Sequence, residues 1–231
     1  MFSSVHQLLS GSYLHQFQTG MLITVELFVL CWVVGMALGI ALTVLRAASV
    51  TVGTWIVSAF VAYHRSVPTI VQILVWYFGV PQLLPDTWQQ FINDHNAQFM
   101  FAAIALSLNS AAYISEDLRS GFRTLPHTQQ EAARALGLTY LQSMRLVIVP
   151  QAIRAAMPAL VGQTLSLFKT TSLAMAIGVA EVMYIARQIE GETYATFGCY
   201  LIATAIYLVG TSLIAVGGGA IQRNLQHSTQ R

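Results

Sequence analysis

The chain has 231 residues, of which 55% are hydrophobic and only 9% are charged, and its mean hydropathy is +0.62. A soluble domain carries about 25% charged residues, so this chain has too little charge to cover a soluble globular surface. The high apolar content excludes disorder. The 11 Lys and Arg are scattered against 9 Asp and Glu, which argues against nucleic-acid binding. We therefore predict an integral membrane protein.

Five segments are apolar enough to cross a bilayer, which takes about 20 residues each. We predict an all-α protein with spans over residues 19–45, 55–80, 98–118, 152–174 and 197–221. Pro68 interrupts the second span and removes a helical hydrogen bond, so we favour one kinked helix there. The alternative is two separate crossings over 47–63 and 66–80, which would give six spans.

Lys and Arg are concentrated in the loops on one side of the predicted spans, which is typical of the cytoplasmic side. Residues 117–154 contain five arginines, whereas residues 1–18 and 81–98 contain no Lys or Arg. The N-terminus is thus predicted outside and the C-terminus in the cytoplasm. Because a cleaved signal peptide needs a positive start, we expect the first apolar segment to stay in the protein. The predicted organisation is an external segment 1–18, a transmembrane domain 19–222 and a cytoplasmic tail 223–231.

The longest polar stretch lies between the third and fourth spans. Its residues Thr128 to Glu131 match a capping box, and Thr139 to Gln142 repeat the signature. Between them, Gly137 fits the left-handed position that follows a helix, and Pro150 fits the start of the next helix. We predict two short helices meeting at a glycine elbow within residues 123–149. Because helices this short are marginal alone, a cytoplasmic docking partner is the simplest explanation, with the bilayer surface second.

These residues resemble the EAA loop of the membrane permeases of ABC importers. Glu131-Ala132-Ala133, Gly137 and Val147-x-Val149-Pro150 follow the pattern EAA-x3-G-x9-I-x-L-P, with Val in place of Ile and Leu. Other segments resemble the polar amino acid branch of this family. They are Thr19-Gly20 with Ile23-Thr24, Arg65-Ser66-Val67-Pro68 with Gln72, Tyr77-Phe78-Gly79-Val80-Pro81, Ala112-Tyr113-x-x-Glu116-x-x-Arg119, Pro150-Gln151-Ala152 and Lys169-Thr170-Thr171-Ser172-Leu173. The chain departs from the family at Thr128 and Ala111, where Gly is usual, and at Thr170, where Asp is usual.

The resemblance implies the membrane subunit of an ATP-driven importer in the bacterial inner membrane. It implies three protein partners: two cytoplasmic ATPase subunits, a second permease subunit (the same or a sister chain) and an external solute-binding protein. No P-loop pattern GxxxxGK[ST] occurs in the sequence, so ATP and Mg²⁺ would bind to the partner ATPase. This chain is expected to be a non-enzymatic permease with no cofactor and no metal site of its own. The expected ATPase-coupling residues are Glu131, Ala132, Ala133, Arg134, Gly137 and Leu138.

Four charged residues fall within the predicted spans, where each is costly and therefore a candidate for the substrate path. Arg65 and Glu116 are alternatively a structural ion pair, and Lys169 either binds a carboxylate or extends to an interface. Glu26 either binds an α-amino group or faces the partner subunit. The side-chain amides of Gln72, Asn109 and Gln163 serve either as substrate contacts or as hydrogen bonds between helices. The full set of path candidates is Glu26, Arg65, Gln72, Asn109, Glu116, Gln163, Lys169, Thr171 and Ser172.

The main alternative function is a self-powered secondary amino acid carrier, which would leave the patterned loop without a role. An intramembrane enzyme is a remote alternative, because the sequence has no nucleophile elbow, HExxH or paired-Asp motif. The transported amino acid is not readable. The stretch from Trp76 to Pro85 is similar to that of some glutamate/aspartate permeases, whereas Glu26 points toward a cationic substrate.

Overall fold

A computed structural model describes residues 11–48, 51–94 and 96–227, and those residues form helices without any strand. Residues 1–10 of the predicted external segment and 228–231 of the predicted tail lie outside the described residues. The α-helices are α1 (Ser12–Ala48), α2 (Thr51–Ser66), α3 (Thr69–Leu74), α4 (Asp86–Asp94), α5 (Ala97–Arg123), α6 (Thr128–Ala135), α7 (Tyr140–Ser143), α8 (Val149–Thr170), α9 (Val182–Thr193) and α10 (Thr196–His227). Helix α3 continues as a π-turn and a 3₁₀ turn to Leu83, a π-turn joins α7 to α8, and a 3₁₀ segment extends α8 to Ile177.

Within the described ranges, four helical stretches are long and apolar enough to cross a membrane: Ser12–Ala48, Ala97–Arg123, Tyr140–Ile177 and Thr196–Leu225. Val52–Ser66 and Thr69–Leu83 are apolar enough only as a pair, and they meet at 107°, as in a broken span or a re-entrant loop. Four of the five predicted spans are therefore confirmed, and the second, over 55–80, corresponds to this bent pair. Their ends were placed too tightly, because polar residues continue each helix beyond the apolar segment; α1 alone has 37 residues.

Helix α5 is the centre of the bundle and packs against α1 on one side and α8 on the other. Small residues permit this close contact. A Cβ atom added at Gly39 would lie 2.7 Å from a methyl carbon of Ile114, and one at Gly35 would lie 3.0 Å from Ser110. The Gly35/Gly39 pair thus serves helix packing, as a small-xxx-small spacing predicts. A second apolar cluster joins α9 and α10 to the start of α1 at Phe17.

The break between α2 and α3 is held by buried polar side chains. Pro68 has no N–H to donate to the carbonyl of His64, four residues earlier. Gln72 Nε2 and Asn109 Nδ2 donate to that carbonyl instead, each at 2.9 Å. Gln72 Nε2 also donates to the carbonyl of Val67 at 2.7 Å, and Gln72 Oε1 lies 2.6 Å from His64 Nδ1. The predicted kink is therefore a sharp break whose open carbonyls are satisfied by side chains; we call this group the break clamp.

Candidate functional site

The loop between α5 and α8 begins with a helix whose start differs from the prediction. Helix α6 is preceded by His127 as its N-cap, without a side-chain capping bond, so the predicted Thr128 capping box is wrong. The reason is a turn that begins at Pro126. The N–H groups of Gln130 and Glu131 already donate to the carbonyl of His127, so Thr128 lies inside the first turn.

The elbow of the loop matches the sequence pattern. Gly137 has φ +81°, a left-handed conformation that is free of strain only for glycine. Its N–H donates to the carbonyl of Arg134, and the N–H of Leu138 donates to that of Ala133. Thr139 then forms a complete capping box with Gln142 at the start of α7, as predicted. The connection between the two helices is thus fixed by local bonds.

The outer side of the loop is apolar, although none of the elements in the described residues covers it. Leu136 is 82% exposed and Leu141 is 78% exposed, with Tyr140 beside them also exposed. Among the expected coupling residues, Glu131, Ala132, Arg134 and Gly137 are exposed and Leu138 is half-buried. Ala133 differs from these: it is buried inside the hairpin, on a helix that contacts the π-turn Met144–Ile148. Its small side chain therefore brings the two arms of the loop together.

A charged cluster lies above the loop, where α1, α2 and α5 meet. The Glu116 carboxylate accepts from Arg46 Nη1 at 2.7 Å and from Arg119 Nε at 3.0 Å, and it also contacts Arg119 Nη2. Arg65, the partner considered from the sequence, is 3.8 Å from the carboxylate and lies over the ring of Tyr113. Glu116 is thus occupied by Arg46 and Arg119, and Arg65 is the more open cation.

Arg65 borders a polar cavity of about 440 Å³ that also includes Ser58, Ser66 and Tyr113. Its side chain is 48% exposed. The volume is large enough for a small polar solute, and the exposed guanidinium is suited to a carboxylate. Gln72 and Asn109, two other candidates for the path, instead donate their amide hydrogens to backbone carbonyls in the break clamp.

Lys169 lies in the last turn of α8 and is exposed. Directly after it the helix tightens into a 3₁₀ segment, in which Thr171 donates to Phe168 and Ser172 donates to Lys169 through their hydroxyl groups. Gln163 is half-buried on α8, and Glu26 is exposed on α1. The structure thus groups Lys169 with Thr171 and Ser172 at the end of α8, separately from the Glu116 cluster.

Glu181 is a buried charged residue that the sequence analysis missed. It is fully buried at the start of α9 and accepts hydrogen bonds from the N–H groups of Met183 and Tyr184 and from the Tyr207 hydroxyl. Thr24 of α1 accepts from the neighbouring N–H of Val182. Glu181 therefore ties α9 to α10 next to the contact with α1. The sequence feature that could have indicated Glu181 is its place directly before an amphipathic segment, because an acidic residue there is typical of an N-cap.

Comparison with known proteins assigns this architecture to a class. Residues 33–227 match the family model described as the binding-protein-dependent transport system inner membrane component. The chain is 35% identical over 207 residues to the arginine transport system permease protein ArtQ of Bacillus subtilis (strain 168), covering 90% of this chain and 91% of that protein. It is 34% identical over 190 residues to the glutamate/aspartate import permease protein GltK of Escherichia coli O157:H7, covering 82% and 84%.

A solved structure agrees with these relatives. The chain superimposes on a chain of an amino acid ABC transporter crystallised with histidines, with a TM-score of 0.81 and 30% identity, covering 92% of this chain and 95% of that one. The protein belongs to the binding-protein-dependent transport system inner membrane component family. It is a non-enzymatic, multi-pass permease subunit of an ABC importer in the inner membrane. Its family works with ATP-binding subunits and a substrate-binding protein, as the resemblance implied.

Proposed function

We propose that this permease imports a polar amino acid and that ATP and Mg²⁺ bind to a separate cytoplasmic ATPase. The observation that carries this proposal is the loop 123–149, with its rigid elbow at Gly137 and its uncovered leucines. A secondary carrier has no use for such a surface. The relatives named for arginine and for glutamate/aspartate support the substrate class.

The proposed orientation puts the loop and the C-terminus in the cytoplasm and the N-terminus outside. It rests on the five arginines of residues 117–154. In this orientation the exposed face of Glu131, Ala132 and Arg134 meets the ATPase, and Leu136 and Leu141 supply apolar contact. Because backbone hydrogen bonds and the Thr139 capping box fix the elbow, the two short helices would transmit ATPase movement to α8 as one body.

We place the second permease subunit and the substrate path against one face of α8. Exposed small residues follow each other at helical spacing on this face, and Lys169 stands at its end. Small residues allow close helix approach, whereas an ammonium group facing lipid costs roughly 2.5–3.5 kcal/mol. A face with both features is suited to a protein partner and a water-filled path. Its members are Ala155, Pro158, Ala159, Gly162, Ser166 and Lys169.

Replacing Lys169 by methionine is expected to reduce amino acid uptake at least tenfold while the complex with the ATPase still forms. The ammonium group would be lost from the path, but no packed core residue would change. Uptake by proteoliposomes containing the full importer measures the effect. Arg187→Met, which removes an exposed cation from α9, is the matched control and is expected to keep uptake. Equal uptake by both variants would exclude a path at Lys169.

Purification and reconstitution test the proposed function itself. The permease is expected to co-elute with an ATPase subunit. The binding protein is added to the medium outside proteoliposomes that contain the importer. These proteoliposomes are expected to accumulate a radiolabelled amino acid only when ATP is enclosed within them. Competition by unlabelled arginine and by unlabelled glutamate identifies the charge class of the substrate. Uptake by the isolated chain without ATP would instead support the secondary carrier.

A further inference from the structure

An apolar groove of about 1370 Å³ lies between α1, α5, α8 and α10. At one end, Trp32 Nε1 donates to the Thr164 hydroxyl at 3.1 Å and ties α1 to α8. At the other end lie Arg46 and Arg119, close to the start of α7. The walls between these ends are formed mainly by aliphatic side chains and methionines. None of the described elements of this chain fills the groove.

The two ends of the groove differ in charge. Arg46 and Arg119 line its mouth, with side chains 22% and 36% exposed. Their carboxylate partner, Glu116, belongs to the polar cavity on the other side of Arg46. The cluster contains three arginines, including Arg65, against the carboxylates of Glu116 and neighbouring Asp117. It therefore keeps a positive charge even when both acids are ionised.

The groove is long enough to extend across one leaflet of a bilayer. Trp32 and Arg46 are 14 residues apart on one helix, which corresponds to about 21 Å. Half of a hydrocarbon core is about 15 Å thick, so an acyl chain fits between the tryptophan and the arginines with its head group at the cationic mouth. Basic pockets between transmembrane helices on the cytoplasmic side are suited to anionic lipid head groups.

We propose that the groove is a binding site for an anionic phospholipid of the leaflet on the loop side. Its acyl chains lie along α1, α8 and α10, and its phosphate contacts Arg46 and Arg119. The head group would then be next to α7, where the exposed side chains of Tyr140 and Leu141 also reach the groove. The lipid would stabilise the contact between the loop and the membrane domain.

Two glycines of α10 provide a test with a matched control. Gly217 lines the groove, and a Cβ atom added there meets no atom within 4 Å. Gly217→Leu therefore adds a branched apolar side chain inside the groove without disturbing a packed contact. Gly219 is equally open but does not line the groove, so Gly219→Leu is the control. Both changes also improve helix propensity by similar amounts.

The experiment measures lipid retention by the complete importer in detergent, using native mass spectrometry. Phosphatidylglycerol and phosphatidylcholine with identical acyl chains are the probes, and inorganic phosphate competes. We expect about thirtyfold preference for phosphatidylglycerol, because Arg46 and Arg119 near the head group contribute about 1 kcal/mol each and about 1.4 kcal/mol corresponds to a factor of ten. We expect this preference in Gly219→Leu and its loss in Gly217→Leu. We also expect phosphate alone not to displace the lipid.

Three results would overturn the proposal. Equal retention of both lipids would show an apolar groove without head-group selection. Unchanged retention in Gly217→Leu would place the lipid elsewhere. Cross-linking of Gly217→Cys to the other permease subunit in membranes would show that a second subunit, and not a lipid, occupies the groove.

Discussion

Replacing Gly137 by valine is expected to abolish substrate-stimulated ATP hydrolysis by the assembled importer, while the permease still inserts into the membrane. A β-branched residue is strained at φ +81°, at a cost of about 1–3 kcal/mol. Space is not the problem, because an added Cβ atom meets no atom within 4 Å. The strain is expected to be relieved by turning α6 away from α7, which changes the surface offered to the ATPase. ATPase activity with and without loaded binding protein measures the loss.

The control for this experiment is Gly191→Val. Gly191 is a helical glycine with equally open surroundings and no left-handed backbone, so valine there is expected to leave coupling unchanged. Gly137→Asn is expected to keep a large part of the coupling, because asparagine tolerates the left-handed region better than valine. Glu131→Arg reverses an exposed charge beside the elbow and is expected to uncouple as well. Normal coupling in both Gly137→Val and Glu131→Arg would contradict the assigned role of the loop.

Replacing Glu116 by glutamine is expected to be strongly destabilising. The change leaves Arg46, Arg119 and Arg65 without the carboxylate on which they converge. Removing one partner of a buried ion pair costs about 3–5 kcal/mol. Because the side chains of Arg46, Arg119 and Arg65 are 22%, 36% and 48% exposed, solvent screening lowers this cost, and we expect about 2 kcal/mol. For a chain of this size, that corresponds to a decrease in Tm of roughly 4–8 °C. Thermal unfolding of the purified complex, followed by tryptophan fluorescence, measures it.

Two further variants make the Glu116 prediction specific. Glu190→Gln also neutralises a carboxylate, but one whose recorded partner is the Thr196 hydroxyl, so its Tm is expected to stay within about 2 °C of the parent protein. Arg119→Gln introduced together with Glu116→Gln removes an unmatched cation and is expected to recover part of the lost stability. A Tm unchanged by Glu116→Gln would mean that solvent and lipid neutralise the cluster.

The helical architecture could be predicted because the bilayer restricts the backbone conformations that an apolar segment can adopt. Five apolar segments are expected to become helices, Pro68 breaks one of them, and Gly137 ends a short helix in the loop between two of them. The capping pattern at Thr139 was also correct, whereas the same pattern at Thr128 was not. The difference is the turn that begins at Pro126, after which the carbonyl of His127 already accepts from the N–H groups of Gln130 and Glu131 that a Thr128 cap would need. A local motif is reliable only when the residues before it leave its partners free.

The long-range contacts of the charged residues could not be predicted from the sequence. The sequence favoured Arg65 as the partner of Glu116, yet Arg46, which is 70 residues away, makes the shorter contact. Only the packing of α1 on α5 brings that pair together. Arg119 is three residues from Glu116 on the same helix, and its contact follows from helical spacing alone. Glu181 was missed because it lies between the apolar segments and not within one.

The break clamp has a mechanical consequence for any change of shape in this subunit. The carbonyl of His64, near the end of α2, accepts hydrogen bonds from Gln72 of α3 and from Asn109 of α5. Straightening the angle between α2 and α3 would break these hydrogen bonds and leave the carbonyl of the buried His64 unpaired. We therefore expect α2, α3 and α5 to move together as one unit. We therefore expect opening and closing of the proposed pathway to involve movement of the other helices.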